Sequence, residues 1–239
     1  MSELDCQGLA KTVGESDRAA VLRGVSFHVR AGSCVGLSGA TGSGKTTLLR
    51  LIAGLEAPDR GEIRIDGRLA SSPAWLLPPG QRRIGFVFQG LGLWPHLDVA
   101  GHLDYVLAAS PLKGQARARH KDDLLEAFRL RDLRRRMPAE LSGGEKHLLA
   151  IARALAGEVR LLLLDEPFAG LDGSLKSRVL ETVARYRRAR GLTAILVSHQ
   201  TDELNALCEE RLHLREGHIA PPLGRQASAY GEGGGGARP

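Results

Sequence analysis

The eight residues Gly39-Ala40-Thr41-Gly42-Ser43-Gly44-Lys45-Thr46 constrain this chain more than any other stretch. They fit G-x-x-x-x-G-K-[ST], a loop whose glycines let backbone N–H groups converge on an anion without Cβ clashes. Such a loop needs a strand before it and a helix after it. The sequence supplies both: Cys34 to Leu37 reads as a strand, and Thr46 to Leu55 has helical spacing. In that setting Lys45 is expected to bridge the β- and γ-phosphates of a nucleotide. The Thr46 hydroxyl is expected to ligate Mg2+, and Thr47 closes the phosphate-binding run. A glycine-rich turn before a helix is the plain alternative, and the motif alone specifies nucleotide binding and nothing narrower.

Two further stretches narrow the chemistry. Leu161 to Leu164 is an apolar run that ends in Asp165 and Glu166. Asp165 at a strand end suits Mg2+, through water, and Glu166 beside a γ-phosphate would polarise the attacking water. Carboxylates at strand ends are common, so the phosphate loop upstream is what makes this pair informative. Downstream of the loop, Leu141-Ser142-Gly143-Gly144-Glu145 opens the helical run Lys146 to Leu155. The partial positive charge at such a helix start favours a phosphate near Ser142, Gly143 and Gly144. The same residues also read as an ordinary capping box, Ser142 at the cap and Glu145 completing it, and both readings hold together.

The rest of the chain organises around these motifs. Ala20 to Val29, Ile84 to Phe88 and Ala194 to Val197 read as strands, the last two buried. Gly61 to Gly67 alternates and ends in Asp-Gly, which predicts an antiparallel edge hairpin. Between Trp94 and Leu155 the pattern is helical, with Leu124, Leu125, Ala127 and Phe128 in one stripe, and Pro111 to Arg119 reads as a polar connector or helix start. The expected architecture is α/β: a mixed-sheet core with an antiparallel β subdomain and a helical insertion over roughly residues 91 to 157. Residues 1–220 form the folded unit, and the Gly/Pro-rich tail 221–239 is expected to be disordered.

Composition excludes several classes. At 43% hydrophobic and 25% charged residues the chain reads as a soluble globular protein, with no apolar run long enough to span a bilayer. Met1-Ser2-Glu3-Leu4-Asp5 lacks a basic stretch followed by an apolar one, so no secretory signal is expected. Cys6, Cys34 and Cys208 lie far apart in sequence and read as buried reduced thiols. The net charge of +6 raises nucleic acid as a partner. The clusters Arg134 to Arg136 and Arg185 to Arg190 carry one aromatic between them, Tyr186, so solvated helix faces are expected and nucleic acid is not. His96 and His102 have no third ligand at a sensible spacing, so no metal is expected there.

Taken together, the ordered motifs resemble the nucleotide-binding cassette of ATP-binding cassette (ABC) transporters, over about residues 3 to 220. Gln89 matches that family's Q-loop, His199 its switch histidine, and Leu171-Asp172 its D-loop. The resemblance implies a P-loop NTPase core and an ATPase in which Lys45, Glu166, His199 and Gln89 act catalytically, with Gln89 also contacting Mg2+. It further implies a head-to-tail dimer, each ATP lying between residues 39–47 of one chain and residues 142–144 of the other. The partners implied are a second cassette, a homodimer by default, a separate transmembrane permease subunit and a solute-binding protein. Trp94 falls where the family docks the permease. The segments Leu77 to Gly85 and Leu93 to Val99 look most similar to bacterial importers of the molybdate, sulfate and polyamine type, which implies the cytoplasmic face of the membrane. Many such importers carry a C-terminal regulatory domain, which is not expected in this sequence. An exporter cassette and a non-transport ABC ATPase of nucleic-acid maintenance are the alternatives. Departures from the family pattern are Val13 in place of an adenine-stacking aromatic, worth about 1 kcal/mol, Glu145 for the commoner Gln, His147-Leu148 for Gln-Arg, and Ala169-Gly170 before Leu171.

Overall fold

The computed structural model describes residues 2–13 and 19–220. The expected disordered tail lies outside the described residues. In chain order the elements are β1 (Leu4–Val13), β2 (Ala19–Val29), β3 (Cys34–Ser38), α1 (Lys45–Ala53), β4 (Arg60–Ile65), β5 (Arg68–Ser72), β6 (Trp75–Leu76) and β7 (Ile84–Val87). There follow α2 (Val99–Ala108), α3 (Gly114–Ala127), α4 (Gly143–Ala154), β8 (Leu161–Asp165), α5 (Gly173–Arg190), β9 (Thr193–Val197), α6 (Thr201–Leu207), β10 (Glu210–Arg215) and β11 (His218–Ala220).

Two sheets divide these strands. The larger runs β11-β10-β3-β9-β8-β7, parallel throughout except for the β10–β11 hairpin. Every residue of β8 and β9 is buried, as expected of parallel strands covered on both faces. Strand periodicity then sends alternate side chains to two different cores. Leu161, Leu163, Ile195 and Val197 pack with α1 and the antiparallel sheet, whereas Leu162, Leu164, Ala194 and Leu196 pack with residues of α2 to α6. The helical stripe behaves as its spacing predicts: Leu124, Leu125 and Phe128 are buried, with Ala127 packed against the same cluster.

The second sheet, β2-β1-β4-β5-β6, is antiparallel. Here the edge hairpin needs correcting. Asp66 and Gly67 do form the two-residue turn, at φ 53° and 74°, but β4 sits between β1 and β5, inside the sheet. Alternation reports one buried and one open face and does not say whether a strand has neighbours on both sides.

Two arginines hold the layers together. Arg82 is 3% exposed and has no carboxylate partner among the described residues. Its guanidinium donates to the carbonyls of Ile52 (2.8 Å), Ala70 (2.7 Å) and Leu77 (2.8 Å), and to Ser71 Oγ (2.8 Å). It thereby caps the last turn of α1 with a cation and ties it to β5, and burial pulls its pKa down to about 10. Arg187 corrects the expected solvated face of the Arg185–Arg190 cluster. It is buried, donating to Gly32 O at 2.8 Å and to Glu209 Oε1 at 2.5 Å. The cysteines are correspondingly inward: Cys6 and Cys34 are buried, and Cys34 Sγ lies 3.4 Å from the half-buried Cys208 Sγ.

Candidate functional site

The C-terminal ends of β3, β7, β8 and β9 reach the same edge of the parallel sheet, and each delivers a polar residue there. The turn after β3 is the glycine-rich loop, its Gly44 at φ 104° serving as the cap of α1. A Cβ at Gly44 would come within 2.9 Å of Val21 O, so the position admits only glycine on both steric and dihedral grounds. Lys45 is 6% exposed and donates from Nζ to Gly39 O (2.8 Å) and Ala40 O (2.9 Å). Burial pushes its pKa down, while the Glu166 and Asp165 carboxylates push back. Ser43 Oγ is buried with no partner among the described residues. An orphaned hydroxyl inside a loop of converging N–H groups fits an incoming phosphate oxygen.

Thr46, one residue further along α1, donates its hydroxyl to Asp165 Oδ2 at 2.8 Å. Asp165 ends β8 and is 2% exposed. Desolvation raises its pKa, the Thr46 hydrogen bond opposes that, and the neighbouring Glu166 adds to it. Two adjacent hard oxygen donors, one a carboxylate, fit the ligand chemistry of Mg2+.

Glu166 follows at φ 48°, an uncommon backbone for a residue with a Cβ, and its N–H is held by Val197 O at 3.0 Å. That backbone turns its carboxylate into the open edge. There His199 Nε2 lies 2.9 Å from Oε1, and Gln89 Nε2 donates to Oε2 at 3.2 Å. Gln89 comes from the end of β7 and His199 from the end of β9, so one carboxylate gathers residues far apart in sequence. With Thr41, Gly42, Lys45 and Thr47 these groups line a cleft of about 450 Å3, and Val13, 49% exposed, stands at its rim.

The residues 142–144 do not line that cleft. Ser142 caps α4 with Glu145 in a reciprocal box: Ser142 N donates to Glu145 Oε2 at 2.7 Å, and Glu145 N donates to Ser142 Oγ at 3.3 Å. Ser142 and Gly143 are exposed, while Gly144 is buried against α5. A Cβ at Gly144 would lie 2.5 Å from Leu175, so the second glycine sets how closely the two helices pack. The structure therefore groups Lys45, Thr46, Gln89, Asp165, Glu166 and His199 and leaves Ser142, Gly143 and Gly144 on another surface.

Trp94 is half-buried and packs on the helical insertion, with ring centroids 4.7 Å from Tyr105 and 5.4 Å from His102 and the Arg153 guanidinium 4.8 Å from its own. Tyr105 is exposed, as is Phe88, which precedes Gln89. Arg153 of α4 also donates to Leu91 O at 2.8 Å and to Gly92 O, and His102 Nε2 accepts from Trp94 N at 2.9 Å. These anchors of the loop after Gln89 carried no sequence signal, because each meets backbone groups.

A family model described as ABC transporter matches residues 22–169, most of the chain. The chain belongs to the ABC transporter family. Among its ABC relatives is a Fe(3+) ions import ATP-binding protein of Pseudomonas fluorescens, 38% identical over 92% of this chain and 60% of the relative. Another is a sulfate/thiosulfate import ATP-binding protein of Rhizobium meliloti, 38% identical over 91% of this chain and 58% of the relative. A spermidine/putrescine import ATP-binding protein of Thermotoga maritima is 36% identical over 83% and 53%. The chain thus spans somewhat over half the length of these curated relatives. Its fold is that of ABC ATPase cassettes. The dimeric cassette MJ0796 in a post-hydrolysis state bound to ADP and Pi aligns with a TM-score of 0.79 at 27% identity, covering 91% of this chain and 97% of that one.

Proposed function

We propose that this chain is the ATP-hydrolysing subunit of a bacterial ABC importer, working as a head-to-tail homodimer beneath a separate transmembrane permease. The observation that carries the reading is Glu166, held by His199 and Gln89 at the mouth of a cleft that contains the phosphate loop but nothing of residues 142–144. Residues 1–220 act as the ATPase domain, with the helical subdomain at about 91–157.

The N–H groups of residues 39–47 and the Lys45 ammonium bind the β- and γ-phosphates of ATP. Ser142 and the N–H groups of Gly143 and Gly144 at the start of the partner's α4 cover the γ-phosphate from the other side. Glu166 accepts a proton from the attacking water, His199 orients that carboxylate and meets the γ-phosphate, and Gln89 reports the state of the site to the docking loop beyond it. Thr46 and Asp165, with Gln89, are the residues that would hold Mg2+, which when bound would supply charge neutralisation for the phosphates. Hydrolysis removes the charge that bridges the two chains, so the pair opens.

Relatives named for import of ferric ions, sulfate and polyamines support import, with a solute-binding protein on the far side of the membrane. Among the described residues no helix is long and apolar enough to cross a membrane, so attachment at the cytoplasmic face falls to the permease. The exposed Phe88 and Tyr105 flank the docking loop and suit that contact. Lys45→Ala should abolish ATP binding and turnover, and wild-type turnover in that variant would reject the phosphate-loop assignment. Recovery of an integral membrane protein with the tagged chain tests the permease.

A further inference from the structure

Glu203 on α6 is a carboxylate 2% exposed and used by none of the chemistry above. Its Oε2 accepts the Ser198 hydroxyl hydrogen at 2.6 Å, and Ser198 Oγ in turn accepts the Gln200 N–H at 2.9 Å. Its Oε1 faces Lys176 Nζ at 3.3 Å but outside hydrogen-bond geometry, so that contact is one of charge. Lys176 also donates to the Gln200 side-chain carbonyl. Ser198 and Gln200 are the two neighbours of His199. Lys176 lies in the first turn of α5, whose N-cap is Asp172.

We propose that Glu203 and Lys176 are positioning residues for His199. They hold the side chains of the two residues that flank His199, Ser198 from Glu203 and Gln200 from Lys176, and join them to the start of α5. The inference rests on the reading of the cleft as an ATPase site, with His199 acting on Glu166 and the γ-phosphate. A buried ion pair placed for stability alone gains little over a well-packed apolar pair. This one spends both of its ends on the residues flanking one histidine. It also gives Asp172, which the family resemblance puts in the D-loop, a rigid path of one helical turn and two side chains to the γ-phosphate sensor.

The test compares wild type, Glu203→Met, Glu203→Gln and Lys176→Met as full chains. Turnover, KM for ATP and Tm are measured, together with the His199 ring signal of 13C-labelled protein without nucleotide, assigned with His199→Asn. Glu203→Met preserves bulk and removes the acceptor for Ser198. It should lower kcat about tenfold or more, because misplaced catalytic groups are that costly, with KM within about twofold. The His199 signal should broaden or split. Glu203→Gln keeps an acceptor for Ser198 and should fall between Met and wild type, and Lys176→Met should move kcat and the His199 signal in the direction of Glu203→Met even if that variant does not fold. Wild-type kcat in Glu203→Met, or a loss that follows Tm with the His199 signal unchanged, would overturn the assignment. If the wild type itself does not hydrolyse ATP, the ATPase reading fails, while the ring signals still decide whether the pair positions His199.

Discussion

Around the phosphate loop, side chains from the ends of several strands hold one another, whereas at the start of α4 one exposed serine and the glutamate of its own helix do all the capping. The first region is convergent: Thr46 bonds Asp165, and Glu166 takes both His199 and Gln89. The second is self-sufficient and open, with Ser142 and Gly143 exposed and only Gly144 packed inward. The first can select and hold a ligand within one chain; the second offers a charge and needs something brought to it. A binding half and a covering half on separate surfaces are what a site shared between two copies requires, since in a two-fold pair each copy supplies both halves.

The sharpest way to break that contrast is to disable the halves in different chains. Lys45→Ala removes the loop cation. Gly143→Asp aims a carboxylate at an incoming phosphate, yet its Cβ meets nothing within 4 Å and an acid suits a helix start, so the variant should fold. Each variant alone should be inactive. Mixed, they form pairs with one intact site, and turnover should reappear; a chain carrying both changes, paired with wild type, assembles no intact site across the seam, so an excess of it should suppress wild-type turnover. Absence of rescue in the first mixture, or full activity in the second, means that each chain completes its own site.

A smaller effect sharpens the division of labour inside the first region. Glu166→Gln keeps the shape and one acceptor oxygen of the side chain but cannot take a proton. Turnover should fall by about 10²–10⁴-fold, and ATP should then hold the variant as a dimer by size-exclusion chromatography. A variant that remains monomeric in ATP, under conditions where wild type dimerises, counts against the sandwich.

What could be read from the chain follows the same division. The loop, the Leu161–Glu166 run and the Ser142 box are contiguous, and their chemistry depends on local backbone geometry, so spacing reveals them. The Glu166–His199–Gln89 cluster was reachable only through the family resemblance, because three strand ends separated in sequence must first be placed side by side. Arg82, Arg187 and Glu203 were illegible. Each is a buried charge: the two arginines are answered largely by groups far along the chain, Glu203 by Ser198 and Lys176, and nothing in local periodicity marks any of them as inward. Strand β1 escaped for a different reason. A bulge between Cys6 and Leu9, with Gly8 at φ 61°, interrupts its alternation, so its two buried halves are out of phase.

The smallest predicted effect separates stability from function at Asp165. Its raised pKa means that the folded chain binds a proton there more readily than the unfolded chain does. That contribution to stability is complete below the unfolded carboxylate pKa and is lost as pH rises through the folded value. At neutral pH the buried anion is therefore a net burden, which Mg2+ would relieve. Asp165→Asn keeps an acceptor for the Thr46 hydroxyl and removes the charge. Without nucleotide it should melt higher than wild type at pH 7, by about 2–4 °C for each kcal/mol relieved, and the gap should close as pH falls towards 4. Its Mg2+-dependent turnover should be lost at every pH. A lower Tm at pH 7, or a gap that does not shrink in acid, would mean that the Thr46 bond and Lys45 outweigh desolvation, and that the binding half is stabilised by its own carboxylate before any ligand arrives.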